Sequence, residues 1–225
     1  MLSPPRRRTI GVYGGSFDPV HVAHLELAVT CAWVLDLDEV RFLPAGQPWQ
    51  KPGLSTPAAH RLAMLRLALD SLPAHAWRAV IDTREVERAG PSYTIDTLRE
   101  LRHEAGPAAA LILLIGTDQL LRLATWRDWL GLFDLAHVAV VNRPGYRLEE
   151  LDAAVDAQWQ MRRGTPADLH AAPAGRMCFI DKLDRDVSAT ALRGWLHGAR
   201  HHGTLPELLP PAVLAYIEAN QLYRA

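Results

Sequence analysis

Two histidines three residues apart, His21 and His24, close the stretch Gly14-Gly15-Ser16-Phe17-Asp18-Pro19-Val20-His21-Val22-Ala23-His24. Imidazole N–H groups donate to phosphate oxygens whether the ring is neutral or charged. Such donors matter most where charge develops in a transition state. On a helix the two side chains would share one face, with Cβ atoms roughly 5–6 Å apart. Two glycines let the backbone turn sharply and come close to an anion. Ser16 adds a hydroxyl, and Asp18-Pro19 shapes the turn into the helix. The helix start then contributes unpaired N–H groups and a positive dipole end. A dinucleotide fingerprint is a poorer reading, because Gly-x-Gly-x-x-Gly is absent. A metal pair is poorer too, because the i,i+4 spacing of zinc-protease helices and an evident third ligand are both missing.

A second candidate anion site lies near the other end of the chain. In Asp186-Val187-Ser188-Ala189-Thr190-Ala191-Leu192-Arg193, Ser188 is a good N-cap. Thr190 falls in the first turn and Arg193 about one turn on, so N–H groups, hydroxyls and a guanidinium can converge on one anion. Alone, the stretch reads equally as a capped helix with a surface arginine. Of 24 basic residues only Lys51 and Lys182 are lysines. Lys51 sits in a loop after a strand, where a lysine is ordinarily a solvated group. Gly116-Thr117-Asp118 follows an apolar run, and an acid there either accepts from ribose hydroxyls or caps a helix. Trp126 is either core or a flat surface for an aromatic ring.

These residues need a scaffold that brings them together. Short, near-continuous apolar runs at Ile10–Tyr13, Val40–Leu43, Ala79–Ile81, Ala110–Ile115, His137–Val141 and Met177–Ile180 read as buried parallel strands. Helical patterns alternate with them: His21–Leu35, Ala58–Leu72, Thr94–Glu104, Trp126–Phe133, Leu148–Arg162, Ser188–Leu196 and Pro211–Asn220. Pro211 suits a first helical position. The alternation predicts an α/β fold, a doubly wound (Rossmann-like) parallel sheet with a small C-terminal helical subdomain. The expected division is a disordered tail over residues 1–8, a Rossmann-like domain over 9–185 and a helical subdomain over 186–225. Arg162–Arg176, rich in Pro, Gly and Ala, reads as a long surface loop. At 225 residues the chain can bury a core without staples. A net charge of −1 offers no global field for nucleic acid. Cys31 and Cys178 form no CxxC or Cys/His cluster. No apolar run is long enough to span a membrane, and Arg6-Arg7-Arg8 is followed by no signal-peptide core. The expected setting is cytoplasmic.

The sequence GGSFDPVHVAH resembles the GGxFDPxHxGH signature of the HxGH nucleotidyltransferase superfamily, most closely the bacterial nicotinate-mononucleotide adenylyltransferases. Asp186–Arg193 is similar to the family's ISxTxIR motif, with Val187 and Leu192 as conservative replacements. The resemblance runs from Ile10 to Tyr223 with the motifs in family order. It implies an enzyme that transfers AMP from ATP to nicotinate mononucleotide, giving nicotinate adenine dinucleotide and pyrophosphate. His21, His24, Arg193 and Lys51 would serve the transfer. Gly14, Gly15, Ser16, Phe17, Gly116, Asp118, Arg143, Ser188 and Thr190 would hold ATP. Tyr93, Thr94 and Trp126 would hold the acceptor, Trp126 by stacking on its pyridine ring. Mg²⁺ would be bound through the ATP phosphates, with no protein metal site. No nucleic-acid or membrane partner is implied, and a homo-oligomer is left open. The chain departs from the family pattern at Ala23, where glycine is usual, and at Gln50, where histidine is common. Pantetheine-phosphate adenylyltransferase is the nearest rival, but it lacks the Pro91–Leu98 stretch. A nucleotide-binding module without turnover and a metal-dependent phosphohydrolase fit the residues less well.

Overall fold

The apolar runs assemble into one six-stranded parallel sheet in a computed structural model that describes residues 6–48, 56–142, 150–181, 187–197 and 205–224. The strands are β1 (Thr9–Gly15), β2 (Glu39–Pro44), β4 (Arg78–Ile81), β6 (Ala110–Gly116), β7 (His137–Val141) and β8 (Met177–Ile180), in the order β4-β2-β1-β6-β7-β8. This is the doubly wound order: the chain steps outward from β1 to one edge, then returns through β6 to the other. β1 and β6 are therefore adjacent strands whose connections leave in opposite directions. A crevice forms at their carboxyl ends, where ligands bind in open sheets of this kind. A second pair is very short: β3 (Gln47–Pro48) runs parallel to β5 (Pro91–Ser92).

Both faces of the sheet are covered, and side-chain alternation sorts the core in two. Ile10 and Val12 of β1, with Leu111, Leu113 and Ile115 of β6, pack against α4 (Thr94–Ala105), α6 (Leu132–Leu135) and α7 (Ala153–Arg162). Tyr13, Ile112 and Leu114 face the other way, toward α1 (Val22–Val34) and α2 (Ala58–Asp70). The C-terminal helices α9 (Ala189–His197), α10 (Leu205–Leu208) and α11 (Pro211–Ala219) follow on that second side. Leu192, Leu209, Val213, Ile217 and Tyr223 belong to the same apolar cluster as Leu25, Leu27 and Ala28 of α1. The C-terminal helices thus share a core with the sheet, and Pro211 opens α11 as its missing N–H favours.

Several segments differ from the sequence reading. Trp126–Phe133 is not one helix. A 3₁₀ turn at Leu123–Thr125 ends with Trp126 extended, and α6 begins only at Leu132. Asp128 in between is left-handed, with φ 49°, a conformation that interrupts a helix. Arg162–Arg176 is not simply a loop, because it holds the short helix α8 (Pro166–Ala171). Thr165 caps it, and the Asp168 carboxylate accepts from both the Thr165 N–H and its hydroxyl at 2.8 Å. Leu169 then fills the core. α7 begins at Ala153, with Asp152 accepting from the Ala154 N–H at 2.8 Å; Leu148 lies outside the described residues. Residues 6–8, expected to belong to a disordered tail, are tied to the sheet. Arg6 pairs with Asp38 at 2.6 Å, Arg7 donates to the Ala108 carbonyl, and Arg8 pairs with Glu39 at 2.9 Å.

Candidate active site

A cavity of about 380 Å³ opens at the carboxyl ends of β1 and β6. One wall is the glycine turn. Among the described residues a methyl on Gly14 would meet nothing within 4 Å beyond its own chain neighbours, and Gly14 lines the cavity. A methyl on Gly15 would sit 3.1 Å from the Phe17 ring. Phe17 itself is left-handed, with φ 46°, and its ring is fully buried. Its side chain packs behind the turn, so only its backbone can serve a ligand. Ala23 lines the cavity; the departure from glycine therefore puts a methyl group into the wall.

His21 is the N-cap of α1 rather than a residue inside the helix, with extended dihedrals of −141° and 171°. The His21 N–H donates to Nδ1 of His24 at 3.2 Å. In a capping box this role belongs to a Glu or Gln side chain; here an imidazole takes it. With Nδ1 fixed as acceptor, the neutral His24 ring carries its proton on Nε2. The two rings stack with centroids 3.6 Å apart, and both residues line the cavity.

The facing wall comes from α9. The Ser188 hydroxyl accepts from the Ala191 N–H at 3.2 Å, which satisfies one orphan donor of the first turn. Ser188, Ala189 and Thr190 line the cavity. Arg193 stands just behind. Its guanidinium donates to the Thr190 hydroxyl at 3.3 Å and to the Asp18 carbonyl at 2.6 Å, so it joins the two walls. From below, the almost fully buried Arg61 donates to the Ser16 carbonyl at 2.9 Å. Sequence reading passed over Arg61, because an arginine inside an amphipathic helix usually faces water.

On the opposite side of the cavity are Thr94 and Trp126. Thr94 is the first residue of α4, after Tyr93 at the N-cap. The Tyr93 ring is not part of the lining; the Arg127 guanidinium covers it, 4.8 Å from the ring centroid. The Trp126 indole N–H is buried with no acceptor among the described residues. Gly116 and Asp118 lie between the two sides, with Asp118 accepting from Gln119 at 2.8 Å. Lys51 and Arg143 lie outside the described residues.

Glu85, Ser92 and Thr97 complete this side; Ser92 and Thr97 belong to the Pro91–Leu98 stretch, in which only Tyr93 and Thr94 were expected contacts, and no motif marks Glu85. Thr97 donates to the Glu85 carboxylate at 2.8 Å. Burial pushes the Glu85 carboxyl above its ordinary range, more than the Thr97 bond and the nearby Arg88 pull it back. Gly46 is bound to the same segment sterically, since a methyl on it would lie 1.9 Å from the Glu85 carbonyl oxygen. Among the described residues no group of three or more His, Cys, Asp or Glu side chains could hold a metal ion. No helix among them is long and apolar enough to cross a membrane.

The chain is also similar to known proteins. The cytidylyltransferase-like family pattern matches residues 12–194. A relative named "Probable nicotinate-nucleotide adenylyltransferase", from Laribacter hongkongensis, is 47% identical over 219 residues, covering 97% of this chain and 96% of the relative. One from Chromobacterium violaceum is 45% identical over 216 residues, covering 96% and 98%. The fold is shared with Plasmodium falciparum nicotinic acid mononucleotide adenylyltransferase complexed with NaAD. That match has a TM-score of 0.76 and 16% identity, over 96% of this chain and 98% of the other. The pattern match over most of the chain and the near-full-length identities agree: this chain belongs to the nicotinate-nucleotide adenylyltransferase family, within the cytidylyltransferase-like nucleotidyltransferases.

Proposed function

We propose that this chain transfers AMP from ATP to nicotinate mononucleotide, forming nicotinate adenine dinucleotide and pyrophosphate in NAD biosynthesis. The observation that carries this reading is one cavity with two unlike sides. Phosphate-type donors from β1, α1 and α9 form one side, and Thr94 and Trp126 belong to the other. The acceptor phosphate oxygen attacks the α-phosphorus of ATP in line. The new P–O bond forms as the bond to the β-phosphate oxygen breaks, and the electron pair leaves on pyrophosphate. No covalent enzyme intermediate is needed, because such transfers rest on positioning and charge stabilisation.

His21 and His24 take the α- and β-phosphates. The Nε2–H of His24 is the preset donor, since its Nδ1 is already engaged. Ser188, Thr190 and Arg193 hold the end that departs as pyrophosphate, together with Lys51. Gly14, Gly15, Ser16 and the backbone of Phe17 lie along the nucleotide, with Gly116, Asp118 and Arg143 on its ribose and adenine. Thr94 meets the nicotinate carboxylate, with Tyr93 setting the helix start. Trp126 offers its ring face to the pyridine.

The donor set of the phosphate wall is imidazole, hydroxyl and guanidinium, which suits phosphate oxygens rather than a cation. Mg²⁺ would therefore come bound to the ATP phosphates rather than to a protein cage, and would supply charge neutralisation there. The setting is the cytoplasm. Pyrophosphate release from ATP tests the reading. It is expected with nicotinate mononucleotide and absent both with phosphopantetheine and with ATP alone. Release with phosphopantetheine would overturn the acceptor assignment.

A further inference from the structure

The last turn of the chain reaches the phosphate wall from behind. After α11, Gln221 and Tyr223 both adopt left-handed dihedrals, with φ 54° and 61°. Non-glycine residues seldom do so. The result is that Tyr223, only 8% exposed, points into the core, where its hydroxyl donates to the Asp18 carboxylate at 2.6 Å. Asp18 is itself 1% exposed. It follows Phe17, whose own φ is 46°. Among the described residues, three of the five left-handed non-glycine residues, Phe17, Gln221 and Tyr223, therefore form or lie next to this one contact, and strained backbone of this kind persists where its surroundings over-determine it.

Asp18 is well placed to transmit the constraint. Its carbonyl accepts from Arg193 at 2.6 Å, and Arg193 also holds Thr190. Two residues earlier, the Ser16 carbonyl accepts from Arg61. Three residues later comes His21. The phenol is a durable donor: burial pushes its pKa up, and the bond to the Asp18 carboxylate pushes the same way, so it stays protonated at any working pH.

We propose that Tyr223 is a positioning residue for the ATP phosphates. Its hydroxyl fixes the Asp18 carboxylate, and through it the Phe17–Asp18 turn that sets His21 and Arg193 in place. This rests on the adenylyl-transfer reading above. It assigns the C-terminal turn a role on the ATP side of the reaction and none on the acceptor side.

The test is calorimetric binding and steady-state turnover of the full chain and its Tyr223→Phe variant, with Tyr216→Phe as control. Tyr216 bonds His60 at 2.9 Å and does not line the cavity. Tyr223→Phe is expected to weaken ATP binding and lower kcat by about tenfold, the loss typical of one hydrogen bond to a charged group. The nicotinate mononucleotide Kd should change less than twofold, and Tyr216→Phe should match the unmodified chain. Asp18→Ala tests the same contact from its other end. The double variant should be no weaker than Asp18→Ala, since the two residues act through one bond. Unchanged ATP binding in Tyr223→Phe, equal losses for both ligands, or additive losses in the double variant would each overturn the proposal. No ATP binding by the unmodified chain would overturn it together with the function it rests on; normal turnover of that chain beside an unaffected variant would overturn the positioning role alone.

Discussion

The two sides of the cavity, one proposed for the phosphates and the other for the acceptor, are built by different means. The phosphate side is made from short contiguous motifs at helix starts: Gly14–His24 leading into α1 and Ser188–Arg193 opening α9. Each residue's task follows from its distance to the helix end. The acceptor side is made from pieces held by backbone contact. Gly46 lies against the Glu85 carbonyl, Ser92 donates to that same carbonyl at 3.3 Å, and the two-residue strands β3 and β5 tie the pieces together. A motif can specify charge stabilisation locally, whereas shape selection needs parts of the chain that are far apart in sequence.

The largest effect is expected on the phosphate side. His24→Ala should lower kcat on the order of 10²–10³-fold, as loss of one transition-state donor does. The KM for nicotinate mononucleotide should hardly move in the same assay. If kcat remains within tenfold, the two sides do not divide the chemistry as described. Gly46→Ala probes the other side. Its methyl has no room beside Glu85, so the acceptor wall must shift, and a shift of about 1 Å can cost about 10²-fold. That loss should appear in kcat/KM for nicotinate mononucleotide, with the ATP Kd unchanged. A Gly46→Ala variant with weakened ATP binding and normal acceptor kinetics would reverse the comparison.

Changing the acceptor sharpens it further. Replacing the nicotinate carboxylate with an amide exchanges charge-assisted hydrogen bonds for weaker neutral ones. kcat/KM for nicotinamide mononucleotide should be lower by about tenfold or more, and equal values would remove the carboxylate-reading role of the Thr94 helix start. The smallest effect lies outside the cavity. Burial alone would raise the Asp82 carboxyl, but bonds from Arg84 at 2.8 Å outweigh it and hold it below its ordinary value. A depressed carboxylate stabilises the fold above its unfolded pKa, and that contribution is lost as pH falls through the lower folded value. Arg84→Met should therefore cost roughly 1–2 kcal/mol at pH 7 after solvent screening. The gap should narrow below about pH 4. Denaturant titrations at the two pH values measure this, and a gap that widens in acid would contradict the assignment.

The same contrast explains what could be read before the structure. Strand positions and the doubly wound class were legible, because buried parallel strands are continuous apolar runs alternating with helices; the strand order, and with it the β1–β6 crevice, came only with the structure. The turn, His21, His24, Ser188 and Thr190 were legible because cap and turn chemistry is local. Glu85 was not, since nothing nearby in sequence says that a carboxylate two residues after Thr83 will be half-buried against Thr97 of α4. Tyr223 was hidden for the same reason, its partner lying 205 positions away. The α8 helix was a different case. Thr165-Pro166-Ala167-Asp168 is itself a capping signal, but the Pro, Gly and Ala around it masked the period. Trp126 was placed near the site correctly and in the wrong element, because the left-handed Asp128 has no sequence marker comparable to a glycine.

The imidazole that closes the start of α1 carries a consequence for how this site can change. His24 accepts through Nδ1 from the backbone that begins its own helix, while Nε2 carries the proton on the far edge of the same ring. On the proposed reading one side chain thus joins helix initiation to anion contact, with opposite polarity at the two nitrogens. A lysine there would donate but not accept, and a glutamate would accept but repel the substrate. Asparagine has both kinds of atom on one short branch and cannot place them on opposite edges of a ring. A mutational path through this position therefore has few stepping stones. Variation in substrate choice is easier to reach from the far side of the cavity, where no residue has to be a folding signal and a reagent at once.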